Sequence, residues 1–259
     1  MSLVTWTVED GLARVTLARP GKRNALSPSM LRALVKALDE AGHEAPRVLI
    51  LEGEGPVFCA GGDIASMEDR LGEPHRTVEA LRSNLNPAIM KVATFPAPTI
   101  AKVQGAAVGA GLGLALACDL VVAAEGAKLG AVHTRLGLTP DGGTSYFLPH
   151  LVGLKRAMDM VLSAETITAS HAVQLGMVSR AVSSDELERT VEDMARRLAK
   201  GPTLAYLQAR RLLIGGLKTG LDEALEREAR SQGLMYATED QREGVEAFRA
   251  KRDPAFRGG

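Results

Sequence analysis

The sequence predicts an α/β protein, a mostly parallel sheet covered by helices and followed by an all-helical tail. Three observations carry this. Short runs rich in Val, Ile and Leu alternate with segments of helical periodicity, which is the pattern of strands joined by crossover helices. From Asp185 onward the apolar residues recur only at intervals of three and four: Leu187, Val191, Met194 and Leu198, then Leu204, Leu207, Leu212 and Leu213, then Leu221, Leu225 and Ala229. Finally, 46% of the 259 residues are hydrophobic but only 3% aromatic, with 27 glycines, so burial falls to small aliphatic side chains and close backbone approach.

The elements follow in order. Thr5 to Val8 and Leu12 to Leu17 are β-rich and separated by Glu9-Asp10-Gly11, which predicts an opening hairpin. Ser27 is a good N-cap for a helix from Pro28, with Leu31, Leu34, Val35 and Leu38 on one face. Val48 to Leu51, Thr99 to Val103 and Leu120 to Ala124 read as fully buried strands. Gly201-Pro202 and Gly215-Gly216 mark breaks in the helical tail, which is expected to pack on the main body or on a neighbouring subunit.

The same arithmetic narrows the function classes. The chain has 31 Lys and Arg against 31 Asp and Glu, so it has no overall field to attract nucleic acid or an anionic membrane. No stretch offers about 18 uninterrupted apolar residues for a membrane span. The N-terminal residues lack a basic start followed by an apolar run, and Cys59 and Cys118 form neither a disulfide framework nor a metal-ligand spacing. The expectation is a cytoplasmic protein with no metal site.

Three small-residue runs are candidates for chemistry. Phe58-Cys59-Ala60-Gly61-Gly62-Asp63-Ile64 follows the Val48 to Leu51 strand; its free amides could meet an oxyanion, or it could be an ordinary strand-to-helix turn. The run from Gly105 to Ala115 places Gly109, Ala110, Gly111 and Gly113 between a strand and an apolar helix, a helix N-terminus suited to negative charge. A dinucleotide site is the competing reading, with Glu125 near the ribose offset, but the spacing departs from the glycine fingerprint. Pro140-Asp141-Gly142-Gly143-Thr144 presents a carboxylate within a turn; capping of the following helix is its bland reading.

Together these runs resemble the enoyl-CoA hydratase/isomerase (crotonase) family over essentially the whole chain. The likeness extends to Arg19-Pro20-Gly21-Lys22-Arg23-Asn24-Ala25-Leu26, to TASHAVQLGMVSRAV and to the terminal EGVEAFRAKRDPAF. It implies a crotonase-like spiral of ββα units, with residues 1–195 as core and 196–259 as a helical C-terminal region used in trimerisation, giving a homotrimer or dimer of trimers. It also implies an acyl-CoA thioester substrate, with coenzyme A entering as part of that substrate and no separate cofactor. The amides of Gly62 and Ala110 would then hold the thioester oxygen, and Lys22, Arg23, Ala25, Ala60, Asp63 and Ile64 would line the coenzyme A path.

A hydratase of the family is expected to carry two glutamates, and here those positions hold Gly113 and His133. Gly113 cannot move a proton, and a lone histidine such as His133 is more often a packing or solvated residue. Asp141 is the carboxylate left, in a Pro-Asp-Gly-Gly setting similar to the family's isomerases of phenylacetate breakdown, notably the ring-epoxide isomerase. The expected reaction is therefore isomerisation with Asp141 as base, with hydration or another lyase reaction as the alternative and a non-catalytic or RNA-binding member as a third class. Met67, Leu71 and Leu81 lie in a segment that either shapes the acyl pocket or forms a surface helix facing the core. Tyr146 and Thr144 are candidates to touch substrate. Cys59 reads as a small buried residue rather than a nucleophile.

Overall fold

A computed structural model describes residues 2–259. Strands β1 (Val4–Glu9) and β2 (Leu12–Leu17) form the expected hairpin, closed by a two-residue turn in which Asp10 and Gly11 both have positive φ. That is the primed geometry whose twist matches the flanking strands. Helix α1 (Pro28–His43) follows, capped as expected: the Met30 amide donates to Ser27 Oγ at 3.2 Å, and Leu31, Leu34 and Leu38 are buried.

Next come β3 (Val48–Gly53), α2 (Ile64–Glu68), α3 (Pro74–Ala80) and α4 (Asn86–Ala93). The succeeding units each send one strand to a large sheet and a short one to a smaller stack. They are β4 (Thr99–Val103), β5 (Ala107–Val108) and α5 (Ala110–Leu116), then β6 (Leu120–Ala124) and β7 (Lys128–Gly130) with α6 (Thr144–Val152) and α7 (Leu154–Ser163). Then follow β8 (Ile167–Thr168), α8 (Ala169–Gln174) and β9 (Arg180–Val182). The large sheet runs β1-β2-β3-β4-β6-β9, antiparallel only at the hairpin; the small one runs β5-β7-β8. This recurring strand, strand, helix order is the spiral that the sequence resemblance implied.

The tail consists of four helices, α9 (Ser184–Ala199), α10 (Thr203–Gly216), α11 (Leu221–Met235) and α12 (Glu239–Ala250), and a non-helical end over 251–259. Of these, α9 alone packs its apolar stripe on the core, burying Leu187, Val191 and Met194 and half-burying Leu198. The later helices leave Leu213, Leu217, Leu221, Leu225, Leu234 and Phe248 exposed. No helix among the described residues is long and apolar enough to cross a membrane.

Candidate active site

The site is built where the two sheets meet. A single parallel bridge pairs Cys59 with Ala107, and another pairs Leu26 with Gly62, so the loop after β3 lies between the 19–26 loop and β5. Asn24, fully buried, ties these loops together: its Oδ1 accepts from the Arg19 amide at 2.9 Å, and its Nδ2 donates to the Glu54 and Val57 carbonyls at 3.0 and 2.8 Å. Cys59 is also fully buried, donating from Sγ to the Asn24 carbonyl at 3.2 Å; burial pushes its thiol up to about 12. It is a packing residue, as expected.

Parallel pairing uses alternate amides and leaves others free. The Leu26 amide donates to the Gly61 carbonyl and the Asp63 amide to that of Leu26, so the Gly62 amide between them has no partner. Ala110, as first residue of α5, likewise has no acceptor within its helix. Among the described residues neither amide donates to a protein acceptor. Gly61, at φ 88°, lies so close to β5 that a Cβ there would stand 2.7 Å from the Val108 carbonyl and 3.5 Å from the Ala110 nitrogen. That close approach brings the two loops together.

Gly62, Ala110 and Asp141 line one cavity of about 340 Å³, together with Lys22, Ala25, Ala60, Asp63 and Ile64. Arg23 is exposed and lies outside that lining. Asp63 is engaged within the protein, bridging to Arg19 at 3.4 Å and accepting from Ser66 Oγ at 3.0 Å. A larger cavity of about 620 Å³ opens among the C-terminal helices, and one of about 420 Å³ lies between α10 and the main body, where Leu116, Tyr146 and Leu213 line it; neither includes these residues.

The structure overturns the capping reading of Asp141. Helix α6 starts at a glycine N-cap with no side-chain bond; Asp141 only accepts the Thr144 amide on its backbone carbonyl. Its side chain points instead at His133, with Oδ1 3.0 Å from Nε2, and keeps 28% of its surface open. His133 is buried, and its Nδ1 has no partner. The solvated or packing reading of His133 is replaced by a pairing that the sequence shows only as an eight-residue spacing.

The glycines of α5 serve packing rather than phosphate binding, against the dinucleotide reading. All seven residues of α5 are buried; a Cβ on Gly111 would meet Cys59 Sγ at 2.8 Å. A Cβ on Gly113 would overlap the Gly142 carbonyl oxygen and stand 2.8 Å from its carbon and 3.0 Å from Thr144 Oγ1. Position 113 therefore admits no side chain while the Asp141 loop stays in place. In the segment after Gly62, Met67 lines the cavity, with its Cε where a Gly62 side chain would be, and Leu81 packs on the core. Leu71 faces the core in neither α2 nor α3 but is 78% exposed in the turn between them. Thr144 Oγ1 and Tyr146 Oη are buried without partners, and neither residue lines this cavity.

An α/β spiral with two free amides and a carboxylate on one cavity is equipped to stabilise charge on an oxygen while a proton moves nearby. Residues 7–259 match the enoyl-CoA hydratase/isomerase family, and the chain belongs to it. It is 40% identical over 98% of its length, and 98% of the relative's, to a probable enoyl-CoA hydratase of Rhodobacter capsulatus. It is 35% identical over 100% of its length, and 99% of the relative's, to the 1,2-epoxyphenylacetyl-CoA isomerase of Escherichia coli. The crystal structure of an enoyl-CoA hydratase from Polaromonas superposes with a TM-score of 0.93 at 32% identity, covering 98% of this chain and 99% of that one. The expected crotonase fold is thus the observed one, with acyl-CoA hydratase/isomerase chemistry as the family's activity.

Proposed function

We propose that the protein is an acyl-CoA isomerase that shifts a double bond, or rearranges an aryl-epoxide acyl group, through an enolate. The observation that carries this reading is the carboxylate of Asp141 on the cavity of the Gly62 and Ala110 amides, where the other carboxylate, Asp63, is bridged to Arg19, together with a position 113 closed to any side chain. For a 3-enoyl thioester, Asp141 takes a proton from the α carbon, and the C–H electrons pass into a dienolate whose oxygen the two amides hold. The same carboxyl then returns a proton to the γ carbon, leaving the double bond between α and β and Asp141 ionised again. Each donor aimed at that oxygen is worth about 3 kcal/mol in the transition state. One base suffices, because no water is activated.

Lys22 on the cavity lining, with Arg23 beside it in the chain, supplies positive charge for the coenzyme A phosphates; Ala25, Ala60 and Ile64 offer small or apolar surface for the rest of the path, and Asp63 holds the Arg19 loop. Coenzyme A is here part of the substrate. The exposed leucines of α10 and α11 fit burial against further copies in a homotrimer or dimer of trimers, with 1–195 as catalytic core and 196–259 as the assembling region. Light scattering of the purified protein tests that assembly.

Hydration is the second reading, favoured by the identity to the Rhodobacter relative named as a probable hydratase. A panel of 2-enoyl-, 3-enoyl- and aryl-CoA esters separates the two. Double-bond shift without a hydroxyacyl product supports isomerisation; turnover of 2-enoyl esters to hydroxyacyl products, with 3-enoyl esters untouched, overturns it.

A further inference from the structure

We infer that His133 is the positioning residue of the Asp141 base, holding Oδ1 so that Oδ2 is the oxygen left to carry the proton. This rests on the assignment of Asp141 above. His133 Nε2 lies 3.0 Å from Oδ1, and among the described residues it is the carboxylate's only protein partner. The Asp141 amide is also near the same nitrogen, at 3.4 Å. One nitrogen cannot donate to the carboxylate and accept from the amide at once, and an ionised carboxylate only accepts. The shorter contact therefore places the imidazole proton on Nε2, donated to Oδ1.

That tautomer leaves Nδ1 as a bare lone pair. The His133 side chain is 6% exposed and Nδ1 finds no donor, so the imidazole loses a hydrogen bond it would make in water. An apolar side chain would fill the same space without this loss. What the imidazole contributes in return is the bond to Asp141. The cavity's other ionisable groups do not contact Asp141: Asp63 is bridged to Arg19, and Lys22 is exposed. Without His133 the carboxylate would turn freely about its last torsion, and its two oxygens would share every contact with substrate and solvent.

The proton transfer balances on the free oxygen. The substrate C–H bond breaks, its electrons move toward the thioester carbonyl, and the proton bonds to Oδ2 while Oδ1 goes on accepting from Nε2. Returning the proton to the γ carbon restores the starting state of both residues. His133 keeps its own proton throughout.

The test replaces His133 and follows α-proton exchange of the acyl-CoA ester that the panel identifies, reading kcat and KM separately. His133→Leu fills the volume but donates nothing, and kcat is expected to fall about 10- to 100-fold with KM little changed, as for a misplaced reacting group. His133→Gln can present an N–H near the place of Nε2 and is expected to recover most of the loss. His133→Asn is too short to reach and should behave like the leucine variant, so the Gln and Asn pair decides the matter should leucine unfold the protein. In an Asp141→Asn background, His133→Leu should add nothing further. Full kcat in His133→Leu, equal loss in Gln and Asn, or a change confined to KM overturns the inference. Undiminished exchange in Asp141→Asn alone would instead remove the base assignment, a separate failure.

Discussion

Adding one methyl group at Gly113 perturbs the site without removing any chemical group from it. A Cβ there would stand 2.8 Å from the Gly142 carbonyl carbon and overlap its oxygen, whereas carbon atoms pack at about 3.5 to 4.0 Å. Relief requires Gly142, the residue after Asp141, to move by about 1 Å. Helix α5 is buried on all sides and cannot retreat, so the movement falls on the loop. A displacement of that size at a reacting group costs about 100-fold in rate, and overpacking about 1 to 3 kcal/mol in stability. Gly113→Ala should therefore lower kcat for the double-bond shift about 100-fold, with a lower midpoint in urea. Gly113→Glu should be worse and should not confer hydration, although it restores the residue type that hydratases of the family are expected to carry. Wild-type kcat and midpoint in Gly113→Ala would refute the claim that this glycine holds the Asp141 loop in place.

Three further outcomes follow from the same geometry. Ala110→Pro removes one free amide at the first helical position, where proline is tolerated, so kcat should drop about 160-fold for a loss of about 3 kcal/mol, while the fold measured by circular dichroism persists. Asn24→Ala strips three hydrogen bonds from the loops that carry Lys22 and Gly62, and denaturant unfolding should show a loss of about 2 to 4 kcal/mol. Cys59, held up to about 12, and Cys118, also raised by burial, should be unreactive toward a thiol reagent at pH 8 in native protein, and both should titrate in urea; fast native labelling of either would contradict their burial.

The strands and helices with long, regular patterns were legible in the residues. Ser27 capped its helix, Asp10 and Gly11 turned the hairpin, and the strands from Thr99 and from Leu120 began and ended as their composition indicated. The two- and three-residue strands β5, β7, β8 and β9 were not, because so short a segment has no periodicity and is defined only by its neighbours. At the site, glycine runs marked where the backbone comes close but not what it meets. Gly62 leaves an amide free beside the cavity, while Gly111 and Gly113 press on Cys59 and Gly142. Asp141 looked like a cap because Pro-Asp-Gly turns commonly provide one. Only the short helical turn of Val132–Leu136 and the bend after it show that eight residues of separation bring His133 face to face with it. The helical tail was foreseen; how much apolar surface α10 to α12 leave uncovered was not.

The measurement that bears most directly on a single carboxylate working against two backbone amides is deuterium exchange at the α carbon of a bound acyl-CoA ester in heavy water. Wild-type protein should wash the proton out, and Asp141→Asn should bind the ester with similar affinity yet exchange at the rate of free solution. Exchange by the asparagine variant at the wild-type rate would contradict the account.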